Sequence, residues 1–97
     1  MKERNLKIAI VFVHEALRFE AWLGGSKKQV QAKYWKLFKE SGWDKYRLVP
    51  TTKGVDAILE HVLVEEPDFD DPEALTEQIE RKTLAFSKDI EGFLAAH

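Results

Sequence analysis

The chain has 97 residues, of which 44% are hydrophobic, 33% are charged and none is cysteine, and its formal net charge is −2. This length predicts a single domain, residues 1–97, with a small core. The lack of cysteine excludes disulfides and thiolate metal ligands, and no apolar run approaches the roughly 20 residues of a membrane-spanning helix. Because the first residues also lack a signal-peptide pattern, we expect a cytoplasmic protein.

The first predicted element is a β-strand over residues 6–14 that is apolar on both faces. Every side chain from position 8 to position 13 is apolar, whereas a strand with one wet face alternates apolar and polar residues. A second strand is predicted over residues 18–23. A two-residue loop at Ala16-Leu17 would connect the strands, although a wider turn or a bulge fits equally well because the loop lacks Asn-Gly or Gly.

The next predicted element is a helix over residues 26–41. Ser26 and Gln29 fit the S-x-x-Q capping box, and Gly42 is a typical helix stop. Trp43 is expected to fold back on the last helical turn. The apolar stripe that would face the core recurs at helical spacing and comprises Val30, Tyr34, Leu37 and Phe38.

Two further strands and a second helix complete the chain. The strands are predicted over residues 46–49 and 57–65. Asp71 is the expected N-cap, and Pro72 the first residue, of a helix that ends near residue 95. The resulting order β-β-α-β-β-α predicts an α+β fold in two layers, with an antiparallel sheet of about four strands and two helices on one face.

The opposite face of this sheet is left without a cover in that arrangement. It would carry Val11, Val13 and Trp22 as interface residues, because large apolar patches rarely stay exposed on a monomer. Twofold self-association is the commonest way to bury such a surface. We therefore predict a homodimeric interaction or structural module, in which Trp22 is either an interface anchor or an ordinary packing residue.

Charge is distributed unevenly, which suggests a second function. Residues 27–47 carry seven basic and two acidic side chains, whereas residues 55–97 carry three basic and twelve acidic ones. A basic helix start with neighbouring aromatic residues is typical of anion or nucleic-acid binding, although a solvated helix surface explains the same pattern. The candidate binding residues are Ser26, Lys27, Lys28, Lys33 and Lys36.

A third hypothesis is a small hydrolase or a metal-dependent enzyme. Histidine and carboxylate can act as base and orienter, and arginine can stabilise an anion. The simpler interpretation is a cross-strand ion network plus histidines at the ends of strands, since ion-pair networks often mimic functional sites. No cofactor or metal motif is present, so no cofactor is expected. The candidate catalytic residues are His14, Glu15, Arg18, Glu20 and His61.

Four segments carry a resemblance to a known family. They are Trp22-Leu23-Gly24-Gly25, Gln29-Val30-Gln31-x-x-Tyr34, Gly54-Val55-Asp56-x-Ile58-x-Glu60-His61 and Val64-Glu65-x-Pro67-Asp68-Phe69. In these segments the chain resembles the C-terminal half of a family of uncharacterised bacterial proteins without an assigned function. The resemblance implies longer relatives with an additional N-terminal helical half, and it implies no activity. Relatives tend to have Asn just after the glycine turn, where this chain has Ser26-Lys27.

Overall fold

The computed structural model describes residues 4–50 and 57–97. It contains a four-stranded antiparallel sheet and two helices, which confirms the predicted α+β class. The strand order is β1-β2-β4-β3, so β1 and β3 are the edge strands. The elements are β1 (Leu6–Val13), β2 (Arg18–Gly25), α1 (Lys28–Ser41), β3 (Arg47–Leu48), β4 (Leu59–Glu65) and α2 (Pro72–Ala95).

The loop between β1 and β2 has four residues, 14–17, which is the wider turn that the sequence left open beside a two-residue loop. The Leu17 amide donates to the His14 carbonyl at 3.3 Å. Leu17 adopts φ 49°, in the left-handed region, and four-residue hairpin loops are commonly built around a turn of this kind. The hairpin turn therefore forms without a glycine residue, because Leu17 takes the left-handed conformation.

The register of the hairpin follows from its open end. The Ser26 amide donates to the Asn5 carbonyl at 2.8 Å. Both strands have eight residues, and counting inwards from this bond along each of them places Phe12 opposite Phe19. The centroids of these two rings lie 4.9 Å apart. This register differs by two residues from the one that a two-residue loop at Ala16-Leu17 would give, and a shift of two residues leaves each side chain on the same face of the sheet.

The described residues group into two compact units, the first containing residues 4–9, 22–50 and 57–61. In this unit α1 begins one residue later than a Ser26 cap requires: Lys27 is the N-cap and makes no side-chain cap bond. The predicted capping box is therefore wrong. The physical reason is that the Ser26 backbone completes the hairpin, and Gln31, not Gln29, reaches back to accept from the Gly25 amide at 3.4 Å.

The end of α1 matches its sequence signals. Gly42 is the C-cap at φ 73°, and its amide donates to the Lys39 carbonyl at 3.4 Å. Trp43 folds back as predicted and stacks on Phe38, with ring centroids 5.4 Å apart. The buried apolar residues of the first unit are Leu6, Leu23, Tyr34, Phe38, Val49, Ala57, Ile58 and Leu59.

The second unit contains residues 10–21 and 62–97. Its helix α2 starts as predicted: Asp71 accepts a bond from the Ala74 amide at 3.2 Å, with Pro72 at the first position. The buried apolar residues of this unit are Ala21, Leu63, Val64, Phe86, Ile90, Phe93 and Leu94. The sequence also predicts a polar loop at residues 51–54, between the strands expected over 46–49 and 57–65, and this loop lies outside the described residues.

Candidate functional site

The most exposed apolar surface of the second unit lies on the hairpin and the loop before α2. Phe69 contacts both Phe12 and Phe19, with centroid distances of 6.0 and 6.2 Å. Large apolar side chains remain exposed here: Ile10 is 51% exposed, Leu17 62% and Phe69 62%. We call these five residues, Ile10, Phe12, Leu17, Phe19 and Phe69, the hairpin patch.

The three predicted interface residues lie on the opposite face of the hairpin from Phe12. Val11, Val13 and Trp22 are all half-buried, and they are less exposed than Ile10. Their role in an interface stays a prediction. The partial exposure of both faces of β1 is what an edge strand shows, because it has a neighbour on one side only.

Two of the four predicted catalytic residues on the hairpin form an ion pair. Arg18 Nε lies 2.5 Å from Glu20 Oε2, and the side chains are 34% and 6% exposed. Glu15 is exposed in the loop, outside this pair. His14 packs edge-on against Phe12, with ring centroids 4.7 Å apart. The hairpin therefore contains an ion pair between two residues on the same face of β2, and a catalytic role for these residues stays a prediction.

His61 belongs to the first unit, where it packs edge-on against the Tyr46 ring at 4.7 Å. Tyr46 in turn contacts Trp43 at 5.8 Å. Within residues 4–50 and 57–97, no group of three or more His, Cys, Asp or Glu side chains is placed to hold a metal ion. Metal analysis of the purified protein remains the direct test of the enzyme hypothesis.

The predicted basic surface is present on the solvent side of α1. Lys27, Lys28, Lys33 and Lys36 are all exposed. Lys36 Nζ lies 3.8 Å from Glu40 Oε1, and Lys33 Nζ lies 5.4 Å from the centre of the Tyr34 ring.

The aromatic residues next to these lysines contact other residues of the first unit. Trp35 donates from Nε1 to the Val49 carbonyl at 2.8 Å, and Lys39 Nζ lies 4.8 Å from the centre of its ring. Tyr34 is buried, and Trp43 stacks on Phe38. These contacts leave lysines as the main groups that α1 presents to an anion.

The sequence interpretation missed Phe69 and Leu17 as surface residues. Phe69 stands between acidic residues just before α2, a position where an aromatic side chain has little local reason to be buried. The contrast between the aromatic Phe69 and its acidic neighbours was the sequence signal that could have indicated an exposed aromatic residue.

A shallow groove lies on the first turns of α2, and none of the candidate catalytic residues lines it. Its lining residues are Pro72, Glu73, Thr76, Glu77 and Glu80.

The described residues form an α+β fold that has exposed apolar side chains on the β1–β2 hairpin and exposed lysines on α1. The chain belongs to the family described as "Domain of unknown function (DUF7000)", whose model matches residues 1–94. This confirms the predicted membership of an uncharacterised family. No curated protein and no solved structure matches the chain. Across the described residues, neither helix combines the length and the apolarity that crossing a bilayer requires.

Proposed function

We propose that this chain is a protein-interaction module that acts as a homodimer. The observation that carries the proposal is the hairpin patch, in which Ile10, Leu17 and Phe69 are each more than half exposed. Phe69 comes from a separate segment and is held against Phe12 and Phe19. Clustered apolar side chains on a surface are typical of interaction sites, whereas single ones are ordinary.

The chemistry of the patch favours a protein partner. All five of its members have hydrocarbon side chains, and none carries a charge. Aromatic side chains are enriched at the centres of protein interfaces because they bury much area with little loss of side-chain freedom. A homodimer is the commonest assembly that covers such a surface.

Light scattering coupled to size-exclusion chromatography tests this proposal. We expect twice the chain mass of 11.2 kDa, at both low and high salt, because apolar burial is not screened by ions. The substitution Phe69→Ser should weaken the dimer. Leu84→Ser is the matched control, since Leu84 is similarly exposed at 57% but lies on α2 outside the patch. A monomer at both salt concentrations would overturn the proposal.

The basic surface of α1 supports a second candidate function, binding to an anionic partner such as a nucleic acid. Four exposed lysines from position 27 to position 36 carry this candidate. A labelled single-stranded oligonucleotide should then bind with an affinity that falls steeply with salt. The double variant Lys28→Ala, Lys33→Ala should weaken binding more than Lys88→Ala, which removes an exposed charge from α2. No binding at low salt would dismiss this candidate.

A further inference from the structure

The two edges of the sheet differ in how well they are protected. Edge strands expose unpaired backbone groups, and proteins usually shorten them, bend them or place charges and prolines on them. The β3 edge has only two residues, Arg47–Leu48. The β1 edge has eight, Leu6–Val13, with no proline and with Lys7 as its one charged residue.

The hydrogen bond at the open end of the hairpin shows which backbone groups of β1 point away from β2. In an antiparallel pair, every second residue exchanges bonds with the neighbouring strand. Because Asn5 pairs with Ser26, residues 7, 9, 11 and 13 point towards β2. The outward groups then belong to Leu6, Ile8, Ile10 and Phe12, of which Leu6 is buried, Ile10 is 51% exposed and the other two are half-buried.

We propose that β1 pairs antiparallel with β1 of a second copy, about a twofold axis at Ile10. This inference rests on the proposed function, because it names the contact through which the homodimer forms. Ile10 would pair with the partner's Ile10, and Ile8 with the partner's Phe12. Each pair would exchange two backbone hydrogen bonds, so that the accessible outward groups of β1 are all satisfied.

The side chains of β1 are compatible with this self-pairing. Positions 8 to 13 are apolar, so apolar residues meet apolar residues on both faces of the extended sheet. Lys7 would lie opposite the partner's Val13, so no like charges are brought together. The exposed Ile10 would be covered by its own copy, and the half-buried Val11 and Val13 would gain a neighbouring strand.

Disulfide trapping tests the register, because the chain has no native cysteine. A twofold axis at Ile10 sets residue 9 opposite the partner's residue 11, in a pair without backbone bonds whose Cα atoms lie about 4.5 Å apart. That distance suits a disulfide. We expect Ala9→Cys and Val11→Cys chains, coexpressed with different tags, to form a mixed disulfide-linked dimer under mild oxidation.

The single variants are the matched controls. Two Ala9→Cys chains, or two Val11→Cys chains, would place their Cα atoms roughly 8 Å apart, because the strand rises about 3.3 Å per residue, and so beyond disulfide reach. Efficient trapping of either variant alone would overturn this register. A dimer mass with no trapping in any combination would overturn the edge pairing and leave the proposed function standing. A monomer by light scattering would overturn both.

A proline substitution probes the backbone contribution separately. Ile10→Pro removes an outward N–H that β2 does not use, a position where edge strands tolerate proline. We expect a folded chain by circular dichroism with at least tenfold weaker dimerisation, whereas Ile10→Val keeps the N–H and the dimer. A folded Ile10→Pro chain that dimerises like Ile10→Val would contradict the proposal, and the trapping experiment decides the matter if Ile10→Pro does not fold.

Discussion

Gly25 and Gln31 lie so close together that position 25 has no room for a side chain. The Gly25 amide donates to Gln31 Oε1 at 3.4 Å. A Cβ atom added at position 25 would approach the Gln31 backbone nitrogen to 2.6 Å and its Cα atom to 2.9 Å. Gln31 is itself buried. Glycine is therefore required at the end of β2 by the close approach of α1.

Gly25→Ala should destabilise the protein by about 1–3 kcal/mol, because the new methyl group meets backbone atoms that cannot rotate away. Urea unfolding followed by circular dichroism measures the change. The control is Gly92→Ala, where an added Cβ meets nothing within 4 Å inside α2. There alanine should stabilise the protein by about 0.5–1 kcal/mol. Equal effects of the two substitutions would contradict this account of Gly25.

Arg18→Met should lower the free energy of unfolding by about 1–2 kcal/mol. The substitution removes the charged partner of Glu20, whose side chain is only 6% exposed. The expected cost lies below the roughly 3–5 kcal/mol of a fully buried pair, because Arg18 is 34% exposed. Glu15→Gln, in the exposed loop, should change stability by less than about 0.5 kcal/mol. Thermal and urea unfolding of both variants provide the comparison.

Trp35→Phe should cost about 1–3 kcal/mol, because it removes the donor to the Val49 carbonyl and leaves a carbonyl on a buried residue without that bond. Lys39→Ala tests the other contact of the same indole, the ammonium group over its ring. That contact is worth about 0.5–1 kcal/mol at an exposed site. If Lys39→Ala proved the more costly change, the hydrogen bond would not be what holds Trp35.

Asp71→Ala should destabilise α2 by about 1 kcal/mol, since the Asp71 side chain accepts a hydrogen bond from the Ala74 amide. Asp70→Ala removes the same charge one residue earlier and keeps the cap. Its effect should be a few tenths of a kcal/mol, as expected for charge alone near a helix start. Calorimetric unfolding of the two variants separates the cap from the charge, and similar shifts in both would refute the assignment of Asp71.

Local signals predicted the elements that local chemistry decides. Asp71-Pro72 marked the start of α2, and Gly42 marked the end of α1, because a cap depends on a few neighbouring residues. The start of α1 failed for a non-local reason. Ser26 has a side chain suited to an N-cap, but its backbone amide donates a hydrogen bond to the carbonyl of Asn5, twenty-one residues earlier. The four-residue S-x-x-Q pattern cannot show that the hairpin already holds the backbone of Ser26.

In the candidate site, too, local features could be predicted from the sequence and contacts between distant segments could not. The apolar character of β1 on both faces was apparent from the sequence, whereas its edge position depends on which strands pair along the whole chain. The contact of Phe69 with Phe12 joins segments far apart in the chain, so no local pattern could show that Phe69 packs against the hairpin. His61 and His14, which the sequence grouped, are instead placed by separate aromatic partners, Tyr46 and Phe12.

Each of the three histidines lies against an aromatic ring: His14 on Phe12, His61 on Tyr46, and His97 on Phe93 at 4.1 Å. Ring currents from these partners should separate the three imidazole proton signals in a simple NMR spectrum of the native protein. His61 reports on the first unit, and the other two report on the second. Following these signals during heating would show whether the two units lose their structure together or one before the other.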